Sequence, residues 1–93
     1  MLVVSFAGGL RLNRTAPVAA RGVFVSLVPE LTIVNSPDTG DWVSKGSVPS
    51  GYWKSLQFVS DFVSGLESLN YKLLSVSGGV DGKTYIFRRF KNA

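Results

Sequence analysis

Apolar and polar positions along the chain follow a β rhythm at both ends and a helical rhythm only once. Residues 2–7, LVVSFA, are β-branched and apolar and predict a strand, with Gly8-Gly9 as its turn. Leu10 and Leu12 alternate with Arg11 and Asn13, which suits a second, half-exposed strand over 10–14. Residues 15–21 read as a connection. GVFVSLV at 22–28 sets Val23, Val25 and Leu27 against Phe24, Ser26 and Val28 and predicts a third strand. Pro29 interrupts it, because proline cannot donate to a sheet ladder. LTIV at 31–34 resumes β character. Residues 35–51 are rich in Ser, Gly, Pro and Asp and predict a long loop, with Trp42 folded back as a plug for the core.

The helical rhythm covers residues 52–69. Tyr52, Leu56, Val59, Phe62, Val63, Leu66 and Leu69 fall on one stripe, with Phe58 at its edge and Ser50 as the expected N-cap. Trp53 points off the stripe, either packed under the preceding loop or presented as a contact. Residues 70–77 and 83–90 predict a hairpin about Asp81-Gly82, a pair that favours a type I′ turn. That turn pairs Val76 with Phe87, Gly78 with Tyr85 and Leu74 with Arg89 on the face toward the helix. Tyr71, Leu73, Ser75, Ser77, Ile86, Arg88 and Phe90 then share an amphipathic outer face. The expected class is α+β in one domain, 1–93: a single antiparallel sheet, one long amphipathic helix packed on one face, and a closing β-hairpin.

In Asn70-Tyr71-Lys72-Leu73-Leu74-Ser75-Val76 and Ile86-Phe87-Arg88-Arg89, residues 66–91 resemble the C-terminal half of a family of small prokaryotic and phage domains. Those carry Leu-x-x-x-Gly-Trp-Glu-Leu-Val-Ser-Val and end a last strand in Phe-Lys-Arg; Asn70-Tyr71 stands here where they have Gly-Trp. The resemblance implies a β-α-β-β unit and no assigned activity.

Composition removes most chemistry. The 93 residues contain no Cys and no His, which excludes disulfides, thiolate metal sites and the commonest general base. Only six carboxylates are present, scattered along the chain. GGVDGKT at 78–84 resembles a phosphate-binding loop, but its first Gly position is Ser77 and a strand follows where a helix is needed. Asp38-Thr39-Gly40 resembles the aspartic protease signature, but Asn35-Ser36-Pro37 precedes it and reads as a turn. No catalytic residue, metal or cofactor is expected. No apolar run is long enough to span a membrane. MLVVSFAGGL lacks the basic start of a signal peptide, so a cytoplasmic location is expected, and the Asn13-Arg14-Thr15 sequon would matter only in a secretory setting.

Net charge is +4 and unevenly spread. Arg11, Arg14 and Arg21 make the first third basic; Lys72, Lys83, Arg88, Arg89 and Lys91 make the last third basic; the middle is acidic. If the end strands are neighbours they form a basic face. Two functions compete. A binding protein, accessory in role and of viral or prokaryotic type, would use Tyr71, Leu73, Ile86, Arg88 and Phe90, with Trp42 and Trp53 as anchors, to hold a protein partner or a second copy as a homodimer. A nucleic-acid-binding protein would place Arg11, Arg14, Arg88, Arg89 and Lys91 on phosphates and stack bases on Tyr71, Tyr85 or Phe90. The first is the expectation, because the single helix offers no basic recognition surface.

Overall fold

A computed structural model describes residues 1–46 and 48–91. The fold is α+β, with all six strands in one antiparallel sheet of order β3-β4-β2-β1-β6-β5. β1 (Leu2–Phe6) and β2 (Leu10–Leu12) form a hairpin turned at Gly8, whose φ of +77° suits glycine. Leu2, Val4, Phe6, Leu10 and Leu12 point to the core; Val3, Ser5 and Arg11 point away. Asn13 locks the junction: its Oδ1 accepts from Val3 N–H, and its Nδ2 donates to the Met1 carbonyl and Thr15 Oγ1.

The segment expected as a third strand is a helix, α1 (Val18–Leu27). Its residues satisfy both periods. Read in twos they alternate; read in fours, Ala20, Phe24 and Val28 form a stripe with Val23 and Leu27 beside it. The helical reading buries Ala20 and Phe24 completely and leaves Val18 and Val25 in solvent. Burial of that stripe over the sheet overrides the local β propensity. Pro17 occupies the cap position and Pro29 follows the last turn, positions where proline suits helix ends.

Residues 35–51 are not one loop. β3 (Thr32–Asn35) turns back into β4 (Trp42–Lys45), which also pairs with β2 through Arg11 with Val43 and Leu12 with Trp42. The turn between them closes with Ser36 N–H donating to the Asp41 carbonyl and Asn35 Nδ2 donating to the Gly40 carbonyl. Asp38-Thr39-Gly40 therefore lies in a hairpin turn.

The expected long helix is broken into α2 (Ser50–Lys54) and α3 (Leu56–Glu67). Ser55 adopts extended backbone, and its Oγ accepts from Phe58 N–H and donates to the Tyr52 carbonyl. Ser55 is thus the side chain that caps α3; Ser50, the expected cap, is the first residue of α2, and its side chain lies outside the described part. The break turns the apolar stripe. Phe58, Phe62 and Leu66 enter the core, whereas Leu56 is 87% exposed. Trp53 swings inward and stacks on Phe6, centroids 5.4 Å apart. Asn70, at φ +70°, ends the helical region in the left-handed conformation that asparagine tolerates.

β5 (Tyr71–Gly79) and β6 (Gly82–Arg89) pair with Gly79 opposite Gly82, so the loop is Val80-Asp81 rather than Asp81-Gly82. Neither loop residue has positive φ; Gly78, at +108°, takes up the bend instead. Val76 faces Tyr85, Gly78 faces Lys83, and a bulge inserts Leu74 between Leu73 and Ser75. The pairs expected from a type I′ turn at Asp81-Gly82 are not formed.

β1 is central, between β2 and β6, with Leu2 opposite Phe87. The first strand and the last are therefore neighbours. The core lies between the sheet and the helices, and is aromatic. Phe62 is fully buried, with ring centroids 5.1–5.7 Å from Phe6, Phe24, Phe58 and Tyr85. Such pairs contribute about 0.5–1.5 kcal/mol each beyond the area they bury.

Candidate functional site

The helices and the buried strand residues form one core cluster on one side of the sheet, so no described element covers the other side. Alternation along each strand decides what that side presents. One row across it runs Val34, Val43, Arg11, Ser5, Thr84, Ser77; the next holds Val3, Ile86 and Ser75. Lys45, beside Thr32, and Lys72, opposite Arg88, point the same way. The outward strand positions thus hold Arg11, Lys45, Lys72 and Arg88 and no carboxylate. Arg11 is tied to Asp41 at 3.1 Å, at the edge of the face. The other three make no ion pair among the described residues. Two apolar pairs, Val3 with Ile86 and Val34 with Val43, lie between the cations.

The expected partner residues do not all share this surface. Ile86 and Arg88 face outward, and Arg88 reaches over Phe90, its guanidinium carbon 5.7 Å from the ring centre. Phe90 is exposed, anchored through its N–H to the Asn70 carbonyl. Tyr71 and Leu73 face the helices instead. The bulge at Leu74 is the cause: one extra residue moves every side chain beyond it to the opposite face. Tyr71 is buried, with Arg89 across the ladder and its guanidinium 5.9 Å from the ring centre. Leu73 packs against the core opposite Phe87. Trp53 is only 5% exposed. Trp42 is half-buried on the helix side, with Arg21 stacked 3.7 Å from the ring centre and its indole N–H donating to the Arg14 carbonyl. Of the phosphate-binding candidates, Arg11 and Arg88 lie on the open face. Arg14 lies in the β2–α1 connection, Arg89 sits over Tyr71, and Lys91 is exposed beyond β6. Tyr71 and Tyr85, offered as base-stacking rings, are core residues.

A second feature leaves no mark in the sequence, because three connections distant along the chain build it. At one end of the sheet the β1–β2 turn, the α2–α3 break and the β5–β6 loop enclose an open groove of about 760 Å³. Phe6, Trp53 and Tyr85 line it with aromatic surface, Leu56, Val59 and Val80 with aliphatic surface. Lys54, Lys83 and Asp81 are its charged residues. Burial pushes the Tyr85 phenol pKa up from its ordinary value of 10.0, so the group is neutral and able to donate a hydrogen bond.

Among the described residues no helix is long and apolar enough to cross a membrane, and no three Asp or Glu side chains gather into a metal cluster. Comparison of the chain with protein-family models, with curated proteins and with solved structures finds no match.

Proposed function

We propose that the protein is a small non-enzymatic binding protein whose working surface is the uncovered face of its sheet, and that its partner is a protein presenting an acidic surface. The observation behind this reading is the sorting of charge by strand alternation. Arg11, Lys45, Lys72 and Arg88 face outward with no outward carboxylate, while Asp61 and Glu67 lie on α3 in the other layer. A field of one sign attracts a complementary surface and speeds encounter with it. The valine and isoleucine pairs between the cations supply apolar contact once water leaves. Relative to the expected surface, Ile86, Arg88 and Phe90 remain, Tyr71, Leu73, Trp42 and Trp53 drop out, and Arg11, Lys45 and Lys72 join.

Nucleic acid fits this face less well. Cations suit phosphates, but bases would find only Phe90 to stack on. A face-to-face homodimer would set cations against cations. Self-association in this reading belongs instead to the open edge of β5, the last strand of the sheet.

The test uses an acidic peptide and a single-stranded oligonucleotide of equal charge, each titrated by fluorescence anisotropy. The peptide is expected to bind more tightly. Lys72→Glu with Arg88→Glu is expected to abolish that binding, and Ser60→Glu with Ser64→Glu, exposed on α3 in the helix layer, to leave it unchanged. Tighter oligonucleotide binding, or equal loss in both variants, contradicts the reading.

A further inference from the structure

We propose that the groove at the α2–α3 break is a binding site for a small amphipathic carboxylate, an apolar chain or ring ending in one carboxyl group. The site is distinct from the open sheet face and does not depend on its role. Its volume falls within the range of about 300–1,000 Å³ typical of small-molecule sites, and its walls have the composition of one. Phe6, Trp53 and Tyr85 would pack on the apolar body.

Of the polar side chains that line the groove, Trp53, Lys54, Lys83 and Tyr85 can donate and Asp81 accepts. Trp53 and Tyr85 are each only 5% exposed, yet neither the indole N–H nor the phenol O–H has a hydrogen-bond partner among the described residues. Among the described residues no fully buried side-chain nitrogen or oxygen is left without a partner, so both groups reach solvent, and the groove is the opening that both residues line. The ammonium groups of Lys54 and Lys83 add positive charge on the α2 side and the β6 side. Asp81, in the exposed hairpin loop, is the only carboxylate among the lining residues. An apolar floor, two donors without a partner among the described residues and two cations together select an apolar anion over a neutral or cationic ligand of the same shape.

The experiment titrates the ¹⁵N-labelled full chain with decanoate, decanol and decylamine. Decanoate is expected to shift the Trp53 indole resonance and the amides of residues 79–83 saturably, and to bind more tightly than the alcohol or the amine. Lys54→Met with Lys83→Met should weaken decanoate at least about tenfold, the scale of a lost charge-assisted hydrogen bond, and leave decanol unchanged. Leu56→Ser and Val80→Ser, at residues 87% and 84% exposed, keep the fold and should weaken both ligands. Absence of saturable shifts, shifts confined to another surface, equal binding of the three ligands, or decanoate binding indifferent to the lysine substitutions would each overturn the proposal.

Discussion

Replacing Gly65 by alanine tests the packing of α1 on α3, the contact that makes residues 18–27 a helix. In an open helix interior this substitution stabilises by about 1 kcal/mol, because alanine is the better helix former. Here a Cβ at Gly65 would lie 2.7 Å from Val23 Cγ1. That is roughly 1 Å inside the 3.5–4.0 Å optimum for two carbons. Val23 has little freedom to yield, since a valine in a helix strongly prefers one χ1 rotamer. Overpacking of this kind costs about 1–3 kcal/mol. The two effects leave Gly65→Ala destabilising by about 1 kcal/mol, a fall of roughly 4–8 °C in Tm for a domain of this size. In a Val23→Ala background the obstruction is gone, and the same substitution should stabilise by about 1 kcal/mol. The coupling between the sites is then about 2 kcal/mol, readable from a double-mutant cycle of urea midpoints. Equal effects of Gly65→Ala in both backgrounds would mean that Val23 does not face Gly65, and the helical placement of 18–27 would fall with it.

Three further outcomes follow from the same geometry. Because Ser55 breaks the helix, Phe58→Ala should cost about 3–5 kcal/mol and Leu56→Ser less than about 0.5 kcal/mol in chemical denaturation; similar losses at both positions would indicate one continuous helix. Gly78→Ala combines a φ of +108° with a collision between the new Cβ and the Gly82 carbonyl, so a loss of about 1–3 kcal/mol is expected, read as a lowered urea midpoint. The raised Tyr85 pKa means that the unfolded chain releases its phenol proton first as pH rises past 10.0. The stability it contributes is intact below that pH and is lost as pH climbs through the folded-state value; Tyr85→Phe should flatten this part of a stability–pH curve.

The α+β class, the single antiparallel sheet and the inward positions of β2 were legible because Leu10 and Leu12 alternate with polar residues and bury on one face only; the apolar run of β1 marks a strand without saying which side faces in. Ala20, Phe24 and Val28 fit two periods at once, and only the sheet beneath them, built from distant residues, selects the helix. Trp42–Lys45 lies among turn-forming residues and becomes a strand through pairing with β2. Ser55 looks like any polar helix residue until its hydroxyl takes the Phe58 N–H. The candidate surface suffered most from one residue: Leu74 bulges, and Tyr71 and Leu73 move to the buried side. A bulge leaves no mark in composition, and Asp81-Gly82 suggested a different turn. Of the outward cations, Arg11, Lys72 and Arg88 were legible as charge in the first and last thirds of the chain, once β1 and β6 are neighbours; Lys45 comes from the middle third, read as acidic. The groove was not, because Phe6, Trp53 and Tyr85 meet only in three dimensions.

The most direct test of the central claim is a footprint of an acidic peptide on the ¹⁵N-labelled protein, read as amide shifts along the sheet. Shifts are expected to centre on Val3, Ser5, Thr84, Ile86 and Arg88, to extend to Arg11 and Lys72, and to fade as salt is added. Shifts confined to α1 and α3, with the outward strand residues unmoved, would contradict it.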